Sequence, residues 1–357
     1  MQTIQERIIT TPSISTIFEV TQRCNNNCLY CYNVWKGKEP YPQGELDTAG
    51  AKEVLLKISR ECSTKYLALS GGEPLMRKDI VELISYATWF GLIPNLITNG
   101  TLLDTKIIKD LMKAGVALFE LPLLSSEKSV HDELCRNKSF DSVIESIINI
   151  KENHGTVYLV FVATKLNIRH FGETLKLCTA LGADGIMFNR VNPGGEAINH
   201  MDKLLPSLDE LKEALEIADQ FVREYKFSIS CGITIHPCLI DTGQFKNLSF
   251  GYCSAGTNRS YYTIDPIGNL RICNHTPSIL GNFLKEPFSR LISRKRTAPF
   301  VKARPKFCDP CSYRFTCQGG CKASAQACYG DLCQLDPFLE KNIKYAKIPA
   351  NEPALVI

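Results

Sequence analysis

The chain has no visible export signal: Met1 to Thr16 contains no basic stretch followed by an apolar core. No apolar run reaches the length of a membrane span. Excess charge is also scarce. Lys and Arg total 41 against 37 Asp and Glu, a net +4 at neutral pH, which gives no reason to expect nucleic acid or a membrane surface as partner. These absences change the meaning of sixteen cysteines. Without secretion a disulfide framework is a poor explanation, and metal ligation is the better one. The expected setting is a reducing, low-oxygen cytoplasm.

At 357 residues the chain exceeds one comfortable core, so a larger and a smaller domain are expected. A strand–helix rhythm runs through the first two thirds. Ser15–Thr21 reads as a strand, followed by strands at 65–70, 93–98, 116–122, 157–164 and 185–190. Helical patterns fill the gaps at 47–60, 78–90, 105–114, 140–153 and 171–181, and Leu208 to Tyr225 is strongly amphipathic. Such alternation implies right-handed crossovers and a parallel sheet. After Lys226 the helical rhythm stops, and Gly, Pro and Cys become dense. The expected division is a barrel-like domain at 14–225, a linker at 226–250, a cysteine-rich domain at 251–335 and a tail at 336–357.

The chemistry concentrates at Cys24, Cys28 and Cys31, on an Asn-rich loop directly after the first strand. A tetrahedral metal site needs a fourth ligand close by, and the next cysteine is Cys62. Three thiolates on a short loop suit an iron–sulfur cluster with one iron left open. A zinc loop or a set of buried thiols is the alternative.

This CxxxCxxC loop behind a strand resembles the signature of the radical S-adenosylmethionine (radical SAM) superfamily. The resemblance implies a partial (β/α)6 TIM-like barrel. It also implies a [4Fe-4S] cluster on Cys24, Cys28 and Cys31, with S-adenosylmethionine (SAM) chelating the fourth iron. Reduction of that cluster cleaves SAM to methionine and a 5′-deoxyadenosyl radical, which takes a hydrogen atom from the substrate. Ser70-Gly71-Gly72-Glu73-Pro74 matches the family's GGEP segment, so Gly71, Gly72, Glu73 and Pro74 are expected at the SAM amino group. Thr98-Asn99-Gly100 is similar to a TNG segment that lines the SAM pocket. Read alone, both stretches are ordinary turn signals. The fourth strand departs from the family: Pro122 and Leu124 stand where relatives often carry a Ser-x-Asp pair, so Ser125 or Ser126 is left to supply a hydroxyl, and no acid–base role is expected there. Arg190, at the end of the sixth strand, suits either the SAM carboxylate, an acidic substrate group or a structural ion pair.

A second cysteine field contains Cys253, Cys273, Cys308, Cys311, Cys317, Cys321 and Cys333. On their own, Cys308, Cys311, Cys317 and Cys321 fit a structural zinc ribbon as well as a cluster. The seven-position pattern behind such a core is similar to the SPASM extension of radical SAM enzymes, which carries auxiliary iron–sulfur clusters. The resemblance assigns Cys253, Cys273 and Cys321 to auxiliary cluster I, and Cys308, Cys311, Cys317 and Cys333 to auxiliary cluster II. The fourth position of cluster I is unfilled, with Cys238, Cys231 and Cys328 as candidates or an open iron. Cys62, Cys135 and Cys178 are expected to be small buried apolar residues.

The resemblance implies an enzyme that most often modifies a ribosomally made peptide, by crosslinking or side-chain oxidation. A small molecule such as a tetrapyrrole or a sugar is the alternative substrate, and a non-enzymatic iron–sulfur or zinc scaffold is a second alternative. A reductant such as flavodoxin or ferredoxin is implied. With some fourteen residues ahead of the first strand, peptide recognition is expected to use a separate protein or the barrel itself.

Overall fold

The computed structural model describes residues 15–37, 40–257 and 259–348. The lead-in at 1–13 and Pro349 and Pro353 of the tail lie outside the described residues. Six parallel strands form the expected centre: β1 (Ser15–Glu19), β2 (Tyr66–Ser70), β3 (Ile93–Ile97), β4 (Leu118–Pro122), β5 (Val157–Ala163) and β6 (Gly185–Arg190). Two short parallel strands, β7 (Ile229–Cys231) and β8 (Ser249–Phe250), continue beyond β6. On the other side β9 (Tyr261–Ile264) pairs parallel to β1, followed by antiparallel β10 (Asn269–Arg271) and β11 (Ile279–Asn282). All eleven belong to one sheet, whose ends are β11 and β8.

Strand patterning explains the layers. In β2, Leu67 and Leu69 are fully buried under the helices, whereas Tyr66, Ala68 and Ser70 are half-buried on the opposite face. In β4, Phe119 and Leu121 take the helix side and Leu118, Glu120 and Pro122 the other. The sheet must curl. β9 and β4 are four strand intervals apart, about 19 Å if flat, yet the Glu120 charge acts on the Tyr261 hydroxyl. The half-buried face is therefore the concave lumen.

The helices begin where the caps allow. Asp47 accepts from Gly50 N–H and Asp104 from Ile107 N–H, while Ser207 and Glu210 form a reciprocal capping box. The expected helices at 105–114 and 208–225 have those bounds in the structure. A further helix, Lys128–Cys135, lies in the β4–β5 crossover. No helix among the described residues is long and apolar enough to cross a membrane.

Two stretches read as unremarkable are structural. The segment 226–250, expected to be a linker, carries β7 and β8 on the edge of the barrel sheet. The tail reaches back into the barrel: Asp336, completely buried, accepts from Arg190 Nη2 at 2.6 Å and from Cys321 N–H at 2.8 Å. Burial alone would raise the Asp336 carboxyl, but the Arg190 and His236 charges outweigh it and hold the group below the usual range. A second buried ion pair, Glu19 with Arg271, ties β1 to β10.

Removing one partner from a buried ion pair strands the other charge, at a cost of about 3–5 kcal/mol. Asp336→Ala is expected to destabilise the protein by that amount, read as a lowered urea midpoint at unchanged m-value. A shift below about 0.5 kcal/mol would show that Arg190 does not depend on this contact.

Candidate active site

The cysteine loop follows β1 and is clamped by its neighbours on both sides. From the β2 side, Gly72 N–H donates to the Thr21 carbonyl and Glu73 N–H to the Arg23 carbonyl, both at 2.8 Å. A Cβ on Gly71 would overlap the Thr21 carbonyl oxygen, and one on Gly72 the Arg23 carbonyl oxygen; Gly71 also has φ +136°. Both glycines are thus required by close backbone approach. From the β6 side, a Cβ on Gly195 (φ +49°) would stand 2.8 Å from the Cys31 carbonyl oxygen. Ala197 N–H donates to that same carbonyl at 3.2 Å.

Glu73 is fully buried and accepts three hydrogen bonds: from Thr98 Oγ1 at 2.7 Å, Asn99 N–H at 2.7 Å and Leu75 N–H at 3.1 Å. Burial raises its carboxyl, with these donors acting in opposition. Asn99 then donates through Nδ2 to Asn25 Oδ1 at 2.8 Å, next to Cys24. Pro74 opens a single tight turn, Pro74–Met76. The structure therefore brings Gly71, Gly72, Glu73, Pro74, Thr98 and Asn99 together around the Cys24–Cys31 loop, at the C-terminal ends of β1, β2 and β3.

Cys24, Cys28 and Cys31 are free thiols close enough for their charges to act on one another. Burial pushes Cys31 up to about 11, against the pull of the Lys36 ammonium. Cys28 is raised by its contact with Cys135 and by burial. Three free cysteines on one short loop are a donor set that an iron–sulfur cluster with one open iron can use. The donor set thus fits a three-thiolate iron–sulfur cluster.

Arg190 is not part of this rim. It is 1% exposed, and its guanidinium is occupied by Asp336 and by the Thr234 carbonyl at 2.8 Å. Among its three sequence readings, the structure shows the ion pair. Cys135 is buried as expected, but it has partners: it touches Cys28 and lies 3.5 Å from His131 Nε2.

The second cysteine field forms two groups. In one group, burial raises Cys273 to about 12, reinforced by Cys321 and Cys253, and Cys321 to about 11, with Cys253 beside it. Asn192, beyond β6, donates to Cys321 Sγ at 3.0 Å, while its own buried Oδ1 has no hydrogen-bond partner. His275 stacks on Tyr32 at 4.0 Å and Asn274 donates to the Tyr32 hydroxyl, so this group adjoins the residue after Cys31. The other group is Cys308, Cys311 and Cys317, joined by Cys238 around one cavity. Cys333 is exposed and lines a different hollow with Pro299 and Lys302. Cys231 is packed within β7, and Cys328 lies 3.8 Å from Met201 Sδ. Among the described residues no three His, Cys, Asp or Glu side chains are placed to hold a single metal ion.

Sequence reasoning missed Lys36 and Glu120. Lys36 follows the motif closely, but its proximity to all three thiols depends on the fold of the loop. Glu120 alternates with buried Phe119 and Leu121, and that signal would have placed it in the lumen. Burial raises it to about 7.

The radical SAM superfamily profile matches residues 18–178. An AdoMet-dependent heme synthase of Methanosarcina barkeri is 27% identical over 340 residues, covering 90% of this chain and 94% of that protein. A PqqA peptide cyclase of Bradyrhizobium diazoefficiens is 25% identical over 340 residues, covering 91% and 85%. Among solved structures, Streptococcus suis SuiB bound to precursor peptide SuiA superposes with a TM-score of 0.68 at 14% identity, covering 93% of this chain and 77% of SuiB. anSMEcpe with bound AdoMet gives 0.69 at 18%, covering 93% and 95%. At these identities the structural likeness is one of fold.

Two outcomes test this geometry. Gly72→Ala forces a Cβ into the Arg23 carbonyl, so iron bound at the first loop after anaerobic reconstitution should fall at least tenfold; parental iron content would contradict the clamp. Glu120 binds its proton more tightly folded than unfolded. Its favourable contribution is complete below about pH 4.5 and is lost as pH rises through about 7. Glu120→Gln lacks that loss. The stability of the variant relative to the parent should therefore rise between pH 5 and 8, by on the order of 2 kcal/mol in urea titrations; a pH-independent difference would exclude a raised Glu120.

Proposed function

The chain belongs to the radical SAM superfamily, and from that premise we propose that it abstracts a hydrogen atom from a side chain of a ribosomally made peptide, leading to a crosslink or an oxidised residue. The observation that carries the chemistry is the clamped loop of Cys24, Cys28 and Cys31, with Glu73, Thr98 and Asn99 linked beside it. When bound there, the [4Fe-4S] cluster supplies the electron that splits SAM into methionine and a 5′-deoxyadenosyl radical.

The chain's own residues bind, orient and enclose. The backbone at Gly71 and Gly72 and the Glu73 carboxylate are assigned to the SAM amino group. The Thr98-Asn99 turn is assigned to the wall of the same pocket, and Lys36 balances the negative charge of three thiolates. Cys253, Cys273 and Cys321 are assigned to a first auxiliary cluster, and the Cys308 group to a second; these pass an electron to or from the substrate. A flavodoxin or ferredoxin is the proposed reductant, and the cytoplasm the proposed setting. A separate recognition protein or the barrel itself would dock the peptide.

Similarity to the PqqA peptide cyclase supports a peptide. Similarity to the heme synthase across 94% of that protein supports a tetrapyrrole side chain as the second reading.

Reconstituted anaerobically with SAM and a strong reductant, the parent should release 5′-deoxyadenosine. Cys28→Ala should release at least 100-fold less, while Cys311→Ala should retain measurable cleavage with impaired substrate turnover. Parental release by Cys28→Ala would sink the assignment of the radical-generating loop. Release stimulated by peptides encoded beside the gene, with a mass change on the peptide, supports the first reading; stimulation by tetrapyrroles alone moves the conclusion to the second.

A further inference from the structure

We infer that Cys238, and not Cys333, is the fourth thiolate of the iron–sulfur centre held by Cys308, Cys311 and Cys317. The inference rests on the proposal that this region carries an auxiliary cluster. It departs from the ligand set that the order of cysteines along the chain suggests, in which the last cysteine completes the group.

The carrying observation is a single cavity lined by all four thiols, Cys238, Cys308, Cys311 and Cys317. Pro237, Phe307 and Leu339 add apolar walls to it. Local turns fix the backbone that carries these cysteines. Cys311 N–H donates to the Cys308 carbonyl at 3.1 Å, and Cys317 N–H to the Tyr313 carbonyl at 2.9 Å. The turn carrying Cys238 is closed by Leu239 and Ile240 N–H groups, both donating to the His236 carbonyl, and Lys347 N–H holds the Cys238 carbonyl at 2.7 Å. At Gly319 (φ +87°) a Cβ would press on Pro305 at 2.6 Å, so only glycine lets the chain turn beside Cys308.

Cys333 is placed elsewhere. It is exposed, its N–H is turned to Asp331 Oδ1 at 2.9 Å, and it faces a separate hollow with Pro299, Lys302 and Gln326.

The assignment has a consequence for the fold. Cys238 follows β7, the last strand but one at that end of the barrel sheet, whereas Cys308 to Cys317 lie in the cysteine-rich region. A centre shared between them closes a long chain loop and fixes that edge of the barrel to the C-terminal part of the chain.

The test is alkylation of the anaerobically reconstituted full chain with iodoacetamide, mapped by mass spectrometry before and after the clusters are stripped with chelator and oxidant. Cys238 should be protected in the loaded protein and labelled at least tenfold more after stripping, while Cys333 labels in both. Cys333 protected and Cys238 labelled in the loaded protein would overturn the inference. In parallel, Cys238→Ala should lose the electron paramagnetic resonance signal of one auxiliary centre, with iron lower by up to roughly four atoms per chain. Cys333→Ala should keep that signal. The reverse pattern overturns the inference while leaving the auxiliary clusters in place. A parent that binds only roughly four irons per chain instead overturns the auxiliary-cluster proposal itself.

Discussion

β1 is hydrogen-bonded on both edges, to β2 on one side and β9 on the other. The rest of the structure depends on that double pairing. A strand in this position cannot shift register without breaking two ladders, so the Cys24–Cys31 loop leaves it at a fixed height. The same pairing makes the barrel and the first part of the cysteine-rich region one sheet. The Tyr32–His275 stack and the buried Glu19–Arg271 pair then follow from adjacency. The Cys24–Cys31 loop and the Cys273 group are neighbours because two strands far apart in sequence are neighbours.

Close backbone approach does at the loop what side-chain packing does elsewhere. Gly71 and Gly72 on one side and Gly195 on the other bring carbonyls and amides of three segments within hydrogen-bond reach. Glu73 then joins the β2 and β3 turns through charge-assisted bonds in a buried setting, where such bonds are strong. The result is a rim preorganised at the strand ends before any ligand arrives. The buried thiols form the complement.

Much of this was legible in the sequence. The period of the strands and helices, the Cys24, Cys28 and Cys31 spacing and the Gly71-Gly72-Glu73-Pro74 turn are local patterns, and local patterns survive without coordinates. Lys36, Glu120 and Cys135 were not legible as site residues. Each is ordinary in its own window and gains its role from a segment elsewhere: Cys135 from Cys28, Glu120 from the curl that brings Tyr261 across the lumen. Arg190 shows the converse. Its position at a strand end suggested a ligand contact, but its partner, Asp336, lay in a tail that carried no pattern.

The sequence by itself determined the chemistry class, because three cysteines at that spacing and a glycine pair after the next strand are short-range features tied to backbone geometry. It also determined the alternation of strand and helix, which follows from side-chain period. Tertiary structure alone decided which distant cysteines meet. Cys238 reaches the Cys308 cavity, and Cys333 turns away, because β7 extends the sheet and Asp336 is anchored under Arg190. Such meetings depend on where strands dock and which charges must be buried together, and no spacing along the chain encodes them.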